Sequence, residues 1–126
     1  MVGWGEGLTP AGDDFLVGLI VGLDALASEA PGRRSFHEAL AATLVRNAAR
    51  TTPIASHCLR LAAGGHHGER SIRLRNALIG DRDGDCVAAA LQGVLAVGAS
   101  SGADTVSGLV AGLLAWLPAA STTEGP

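Results

Sequence analysis

The chain contains no Tyr and no Lys, and its 126 residues include only two Phe, two Trp, two Cys and one Met. With so few aromatics, buried volume has to come from Leu, Val and Ala packed where backbones approach closely. Two cysteines, Cys58 and Cys86, do not make a secreted disulfide framework, and a reducing cytoplasm suits them better. All nine basic residues are Arg, scattered rather than gathered into a stripe, and the formal charge is −3. That distribution excludes a nucleic-acid surface. The N-terminus lacks a basic segment followed by an apolar one, so no signal peptide is expected. Long hydrophobic runs are missing as well. Phe15 to Leu23 spans nine residues fenced by Asp14 and Asp24, and Val106 to Ala120 spans fifteen, interrupted by Ser107 and Pro118. Both fall short of the roughly 18 to 20 residues a membrane span needs, so no membrane partner is expected.

Strand signals are absent too, since nowhere do β-branched or aromatic residues alternate with polar ones over a strand length. What is present is helix punctuation. Thr9-Pro10 predicts a hydroxyl cap and a proline at the first helical position, opening a helix to about Leu26. Pro31-Gly32 breaks it, and Ser35 with Glu38 reads as the capping box of a second helix to about Arg50. Thr52-Pro53 starts a third, which stops at Gly64-Gly65; a fourth covers about Glu69 to Leu78. A fifth runs from about Asp85 to Val97 and a sixth from about Ala103 to Leu117, leaving Ser121 to Pro126 as a frayed tail. The fold expected is all-α: one compact domain over 1–126, a bundle of about six helices joined by short loops.

Eighteen glycines are unusual for such a bundle, and six of them fall in a repeated pattern. Gly12-x-Asp14-x-x-x-Gly18-Leu19-x-x-Gly22-Leu23 returns ninety residues later as Gly102-x-Asp104-x-x-x-Gly108-Leu109-x-x-Gly112-Leu113. This internal repeat relates the first helix to the last. Glycine inside a helix costs about 0.5 to 1 kcal/mol relative to Ala, so a spacing of four predicts that the two helices cross on smooth faces. If their starts lie together, Asp14 and Asp104 flank a pocket rimmed by unpaired helix N–H groups. Such a pocket suits an anion, a substrate amide or a divalent ion such as Mg²⁺. The plainer alternative is that both acids cap their helices and the glycines only pack.

Asp14 and Asp104 are therefore the candidate catalytic residues. Around them, the loop from Gly3 to Asp14 contributes Gly5, Gly7, Thr9 and Asp13 as candidate substrate contacts. Its alternating glycines allow close backbone approach to a ligand before a helix start, although no Lys makes it a Walker-type loop and no strand precedes it. Arg50, Thr52 and Ser56 offer a guanidinium and hydroxyls at the start of the third helix, and Ser100, Ser101 and Gly102 repeat the theme before the sixth. Ser56 and His57 are sequence neighbours that point apart on a helix, so they are no nucleophile–base pair, and His57 reads as a surface residue. His66 and His67 lack a zinc-spaced partner and read as a solvated loop. Asp81 to Asp85 resembles a calcium loop but has its glycine early and no downstream Glu, and reads as a turn and N-cap. Cys58 and Cys86 read as small buried hydrophobes. No cofactor is required by these motifs, Mg²⁺ being the one ion the paired acids leave open, and no metal ligand is assigned.

The segment Gly5-Glu6-Gly7-Leu8-Thr9-Pro10-Ala11-Gly12-Asp13-Asp14-Phe15-Leu16, followed by Gly98-Ala99-Ser100-Ser101-Gly102-Ala103-Asp104 and Gly108, resembles the signature of the bacterial AllH-type family. Members are about twice this length with these motifs in their C-terminal half, so a reduced or truncated version is expected. The resemblance implies a subunit of the oxamate carbamoyltransferase system of allantoin and purine catabolism, working with partner subunits. There, oxamate and carbamoyl phosphate give oxalurate and phosphate. On this reading a small anionic substrate sits at the helix starts, in a cytoplasmic protein. Two other readings stand beside it: a non-catalytic assembly module whose glycine faces meet identical or partner chains, and a metal-dependent hydrolase using Asp13, Asp14 and Asp104.

Overall fold

The computed structural model describes residues 1–80 and 83–117. Its six helices are α1 (Ala11–Asp24), α2 (Pro31–Asn47), α3 (Pro53–Ala63), α4 (Glu69–Ile79), α5 (Gly84–Leu95) and α6 (Ser101–Ala115), with no strand among the described residues. The expected frayed tail, and the Asp81-Arg82 part of the expected turn, lie outside the described residues.

Two starts differ from expectation, each for a local reason. Pro10 is the N-cap of α1 rather than its first helical residue, with extended backbone at ψ 146°, and no side chain caps this end. The Thr9 hydroxyl is thereby released from capping. Helix α2 begins at Pro31, four residues before Ser35, because proline's fixed φ already suits a first helical position. No capping box forms at Ser35, which sits exposed inside the helix. Two starts do carry side-chain caps: Thr52, directly before Pro53, accepts the Ala55 N–H at 3.2 Å, and Asp83 accepts the Cys86 N–H at 2.8 Å.

Helix α1 is the axis of the molecule. On one side Leu16 and Ile20 pack with Leu44, Ala48, Leu59 and Ala62 from α2, the turn after it, and α3. On another, Val21 packs with Leu74, Val94 and Leu109 from α4, α5 and α6. Ile20, Leu59, Leu74 and Leu109 are fully buried, each contributing about 1.5 to 3 kcal/mol.

The most extensive contact in the molecule joins α1 to α6, and glycine sets its geometry. A Cβ on Gly18 would strike the Thr105 carbonyl, and one on Gly108 the Phe15 carbonyl; one on Gly22 would strike the Leu109 carbonyl, and one on Gly112 would lie 2.5 Å from the Leu19 carbonyl. Each contact equals its partner shifted by ninety residues. The helices therefore run parallel, related by a pseudo-twofold axis, with their starts side by side. The expected glycine seam is present, and it is used inside the chain rather than against another copy. Four interior glycines cost roughly 2 to 4 kcal/mol in propensity, offset by backbone packing no larger residue permits.

The opposite end of the pair is clasped. The Trp116 indole N–H donates to the Leu23 carbonyl at 2.8 Å, the Arg33 guanidinium donates to the Trp116 carbonyl at 3.0 Å, and Phe36 meets the indole edge-on. No helix among the described residues is long and apolar enough to cross a membrane.

Candidate functional site

Parallel packing brings the first turns of α1 and α6 together, and with them Asp14 and Asp104. Asp14 is only 9% exposed, and its Oδ2 is buried with no hydrogen-bond partner. Burial, above all, raises its carboxyl above the usual carboxylate range; the hydroxyls of Ser101 and Thr9 pull the other way, and the charges of Asp104 and Asp13 add to the rise. The N-caps of the two helices are Pro10 and Ser100, neither bonding through a side chain, and Asp14 and Asp104 lie in the first turns, where the helix dipole favours an acid.

Helix α3 adds Cys58, a residue that sequence reasoning passed over. It is half-buried, and its thiol is raised first by burial and then by the negative charge of Asp14, which keeps it protonated at neutral pH. Only the register of α3 against α1 places it there, and no local pattern carries that information.

Asp13, next in sequence, has a different task. It is 1% exposed, and both oxygens are bonded: Oδ1 accepts the Gly3 N–H at 2.8 Å and Oδ2 accepts the Thr51 hydroxyl. It pins the N-terminal loop and the α2–α3 connection to α1. The Thr52 hydroxyl, besides capping α3, donates to the Leu8 carbonyl and stitches the same loop from the other side. Gly3 and Gly5 both have left-handed backbone, at φ 83° and 118°, and a Cβ on Gly5 would lie 2.7 Å from the Ala11 nitrogen. The loop is thus folded tightly over the start of α1. Gly7 shares the left-handed backbone at φ 85° but faces open space.

That folding uses up helix N–H groups. Gly12 donates to the Trp4 carbonyl at 2.9 Å, and Asp13 and Asp14 donate to the Pro10 carbonyl at 2.9 and 3.1 Å. On α6, Gly102 donates to the Val97 carbonyl at 3.0 Å and Asp104 to the Ser100 carbonyl at 3.1 Å. The rim of unpaired N–H groups expected from the sequence is therefore partly closed: Gly12, Asp13 and Gly102 are bonded to the protein's own carbonyls, while the Asp14 and Asp104 bonds are the first ordinary helical ones. Gly102 also lets α6 pass α5, because a Cβ there would strike the Val94 carbonyl.

The remaining candidates are placed apart. The groups that act on the Asp14 carboxyl are Ser101, Thr9, Asp104 and Asp13; Arg50, Ser56 and Ser100 are not among them. Arg50 lines a separate hollow of about 320 Å³ with Met1, Trp4 and Leu40, Ser100 is exposed, and Ser56 is half-buried on α3. No group of three His, Cys, Asp or Glu among the described residues is arranged to hold a metal ion, so the hydrolase reading finds no ligand set there.

Two expectations are corrected outright. His67 is not solvated: its ring is 3% exposed, with Nε2 3.0 Å from Asp24 Oδ2, while His37 approaches the other Asp24 oxygen at 3.4 Å. The end of α1 reaches the loop between α3 and α4 and covers the ring. His66, its neighbour, is exposed as expected, as is His57. Cys86 is exposed rather than buried, because α5 turns that face away from the core. The N-cap expected within Asp81 to Asp85 is present, and Asp83 supplies it.

The described residues form an all-helical protein in which a buried carboxylate with one unpartnered oxygen lies beside two hydroxyls at the joined starts of two parallel, glycine-seamed helices. The family described as oxamate carbamoyltransferase subunit AllH matches residues 1–113, and the chain belongs to this family. No curated protein and no solved structure matches it.

Proposed function

We propose that the joined starts of α1 and α6 are this subunit's contribution to carbamoyl transfer, in which oxamate and carbamoyl phosphate give oxalurate and phosphate. The observation that supports this reading is the Asp14 carboxylate, buried with one oxygen unpartnered. An unsatisfied buried acceptor costs about 1 to 3 kcal/mol, and a ligand that donates an N–H to it recovers that cost. In the reaction the amide nitrogen of oxamate bonds to the carbamoyl carbon, the C–O bond to phosphate breaks, and one N–H proton is given up. A carboxyl held above the usual range accepts a proton more readily than an ordinary aspartate. Asp14 is the acceptor; Ser101 and Thr9 orient it, and Asp104 keeps the pocket acidic. The Gly5 to Thr9 loop, held by Asp13 and Thr52, closes it from above. Partner subunits of a cytoplasmic assembly in purine breakdown complete the enzyme.

The test is oxalurate formation by the assembled enzyme carrying Asp14→Ala or Asp104→Ala in this subunit. Loss of a general base costs about a hundredfold or more. Asp14→Ala is expected to show that loss with assembly and helical content intact, and Asp104→Ala a smaller one. An undiminished rate in the Asp14→Ala enzyme overturns the reading. A second reading, an assembly module, is favoured by the exposed apolar stripe Val110, Leu114 and Leu117 along and just beyond α6.

A further inference from the structure

The site has acceptors to spare and few donors. Asp14 Oδ2 is buried without a partner, and Asp104 lies close enough to act on its charge. Against these, the N–H groups of Gly12, Asp13, Asp14, Gly102 and Asp104 are bonded to the protein's own carbonyls. No guanidinium is among the groups that act on the Asp14 carboxyl, and several are engaged elsewhere: Arg33 with Glu29 and the Trp116 carbonyl, Arg70 with the Gly93 carbonyl and Arg73 with Glu69. A phosphate or carboxylate entering here would meet two like charges and no cation. An amide would meet a buried oxygen waiting for an N–H.

Resting on the site reading above, we propose that this chain recognises the uncharged amide end of its substrate, with Asp14 Oδ2 accepting the N–H. The anionic end is held by cationic groups of another subunit. The chain thus supplies half of a composite site, and specificity for a nitrogen donor over a hydroxyl-free anion resides here.

Three small probes separate the possibilities on the full chain: oxamide, which has N–H donors and no charge; oxalate, which has charge and no N–H; and inorganic phosphate. Cys58 beside Asp14 is the reporter and exposed Cys86 the internal reference. Iodoacetamide labelling of each thiol is followed by peptide mass, and the backbone amide resonances of Gly12 to Asp14 and Ser101 to Asp104 provide a second readout. Oxamide is expected to slow Cys58 labelling several-fold and shift those resonances while leaving Cys86 unchanged. Asp14→Ala should abolish both effects, with Asp14→Val, which also lacks an acceptor, as the fallback should that variant fold poorly. Oxalate and phosphate should do neither. Asp14-dependent protection by oxalate or phosphate overturns the inference and leaves the site standing as an anion site. Absence of any response to all three probes overturns the inference together with the site reading.

Discussion

Helix α1 carries a recessed acid near each end, and the surroundings of the two are opposite. Asp24 sits where the helix dipole disfavours a negative charge, yet two largely buried imidazoles face its two oxygens, beside the Trp116 clasp. Asp14 sits where the dipole favours it, yet it faces two further aspartates and leaves one oxygen without a partner. The dipole contributes about 0.3 to 1 kcal/mol at such positions, less than an unmet buried acceptor costs, so local partners decide the outcome. One end is built to hold the fold together. The other leaves a buried acceptor of an acid unmet, at a cost in stability that the proposed ligand would recover.

The comparison depends on the two helix starts being locked together, and the seam is where it breaks most severely. In Gly108→Ala the new methyl meets the Phe15 carbonyl, a backbone atom that no rotamer change can move. The cost is expected at or above the top of the roughly 1 to 3 kcal/mol range for overpacked cores, seen as a large drop in the urea midpoint. Gly93→Ala on α5, where nothing lies within 4 Å of the added carbon, should instead stabilise by about 0.5 to 1 kcal/mol. Equal effects at the two glycines would refute the seam.

Next in size is the acid with partners. Asp24→Ala leaves the rings of His37 and His67 facing an empty acceptor position, and about 1 to 3 kcal/mol should be lost in urea unfolding. Oxamide protection of Cys58, at the far end of α1, should be unchanged. A variant as stable as the parent would mean that the two histidines do not depend on Asp24.

The seam and the pairing of Asp14 with Asp104 were legible in the sequence because the repeat carries its own geometry. Identical spacing of glycine and aspartate in two helices implies a symmetric contact, and the parallel, pseudo-twofold packing follows from it. Helix count was legible from Pro, Gly and hydroxyl punctuation, while the capping box at Ser35 failed because Pro31 offered an earlier start. What was hidden depends on distant partners. Asp13 and Asp14 are adjacent acids, and only Gly3 and Thr51 folding onto the first make it structural while the second stays unpartnered. The consumption of helix N–H groups by the Trp4 and Val97 carbonyls, the burial of His67 and the approach of Cys58 likewise have no local signature.

The smallest expected effect is also the most diagnostic, because its sign is opposite to that at Asp24. The Asp14 carboxyl is raised in the folded protein relative to its ordinary value of 3.8, so the folded state binds the proton more tightly than the unfolded chain. Stability therefore falls as pH rises through the window between the ordinary value and the raised one, and the full penalty persists above it. Asparagine carries no charge and escapes that penalty. Asp14→Asn is expected to melt slightly above the parent at about pH 7, with the gap closing as pH falls to about 3, below both values. On the function proposed above, the carbamoyl-transfer rate is expected to move the other way, falling in the more stable variant. A gap that stays constant with pH would place Asp14 among acids with ordinary surroundings, and the contrast between the two ends of α1 would then rest on Asp24 alone.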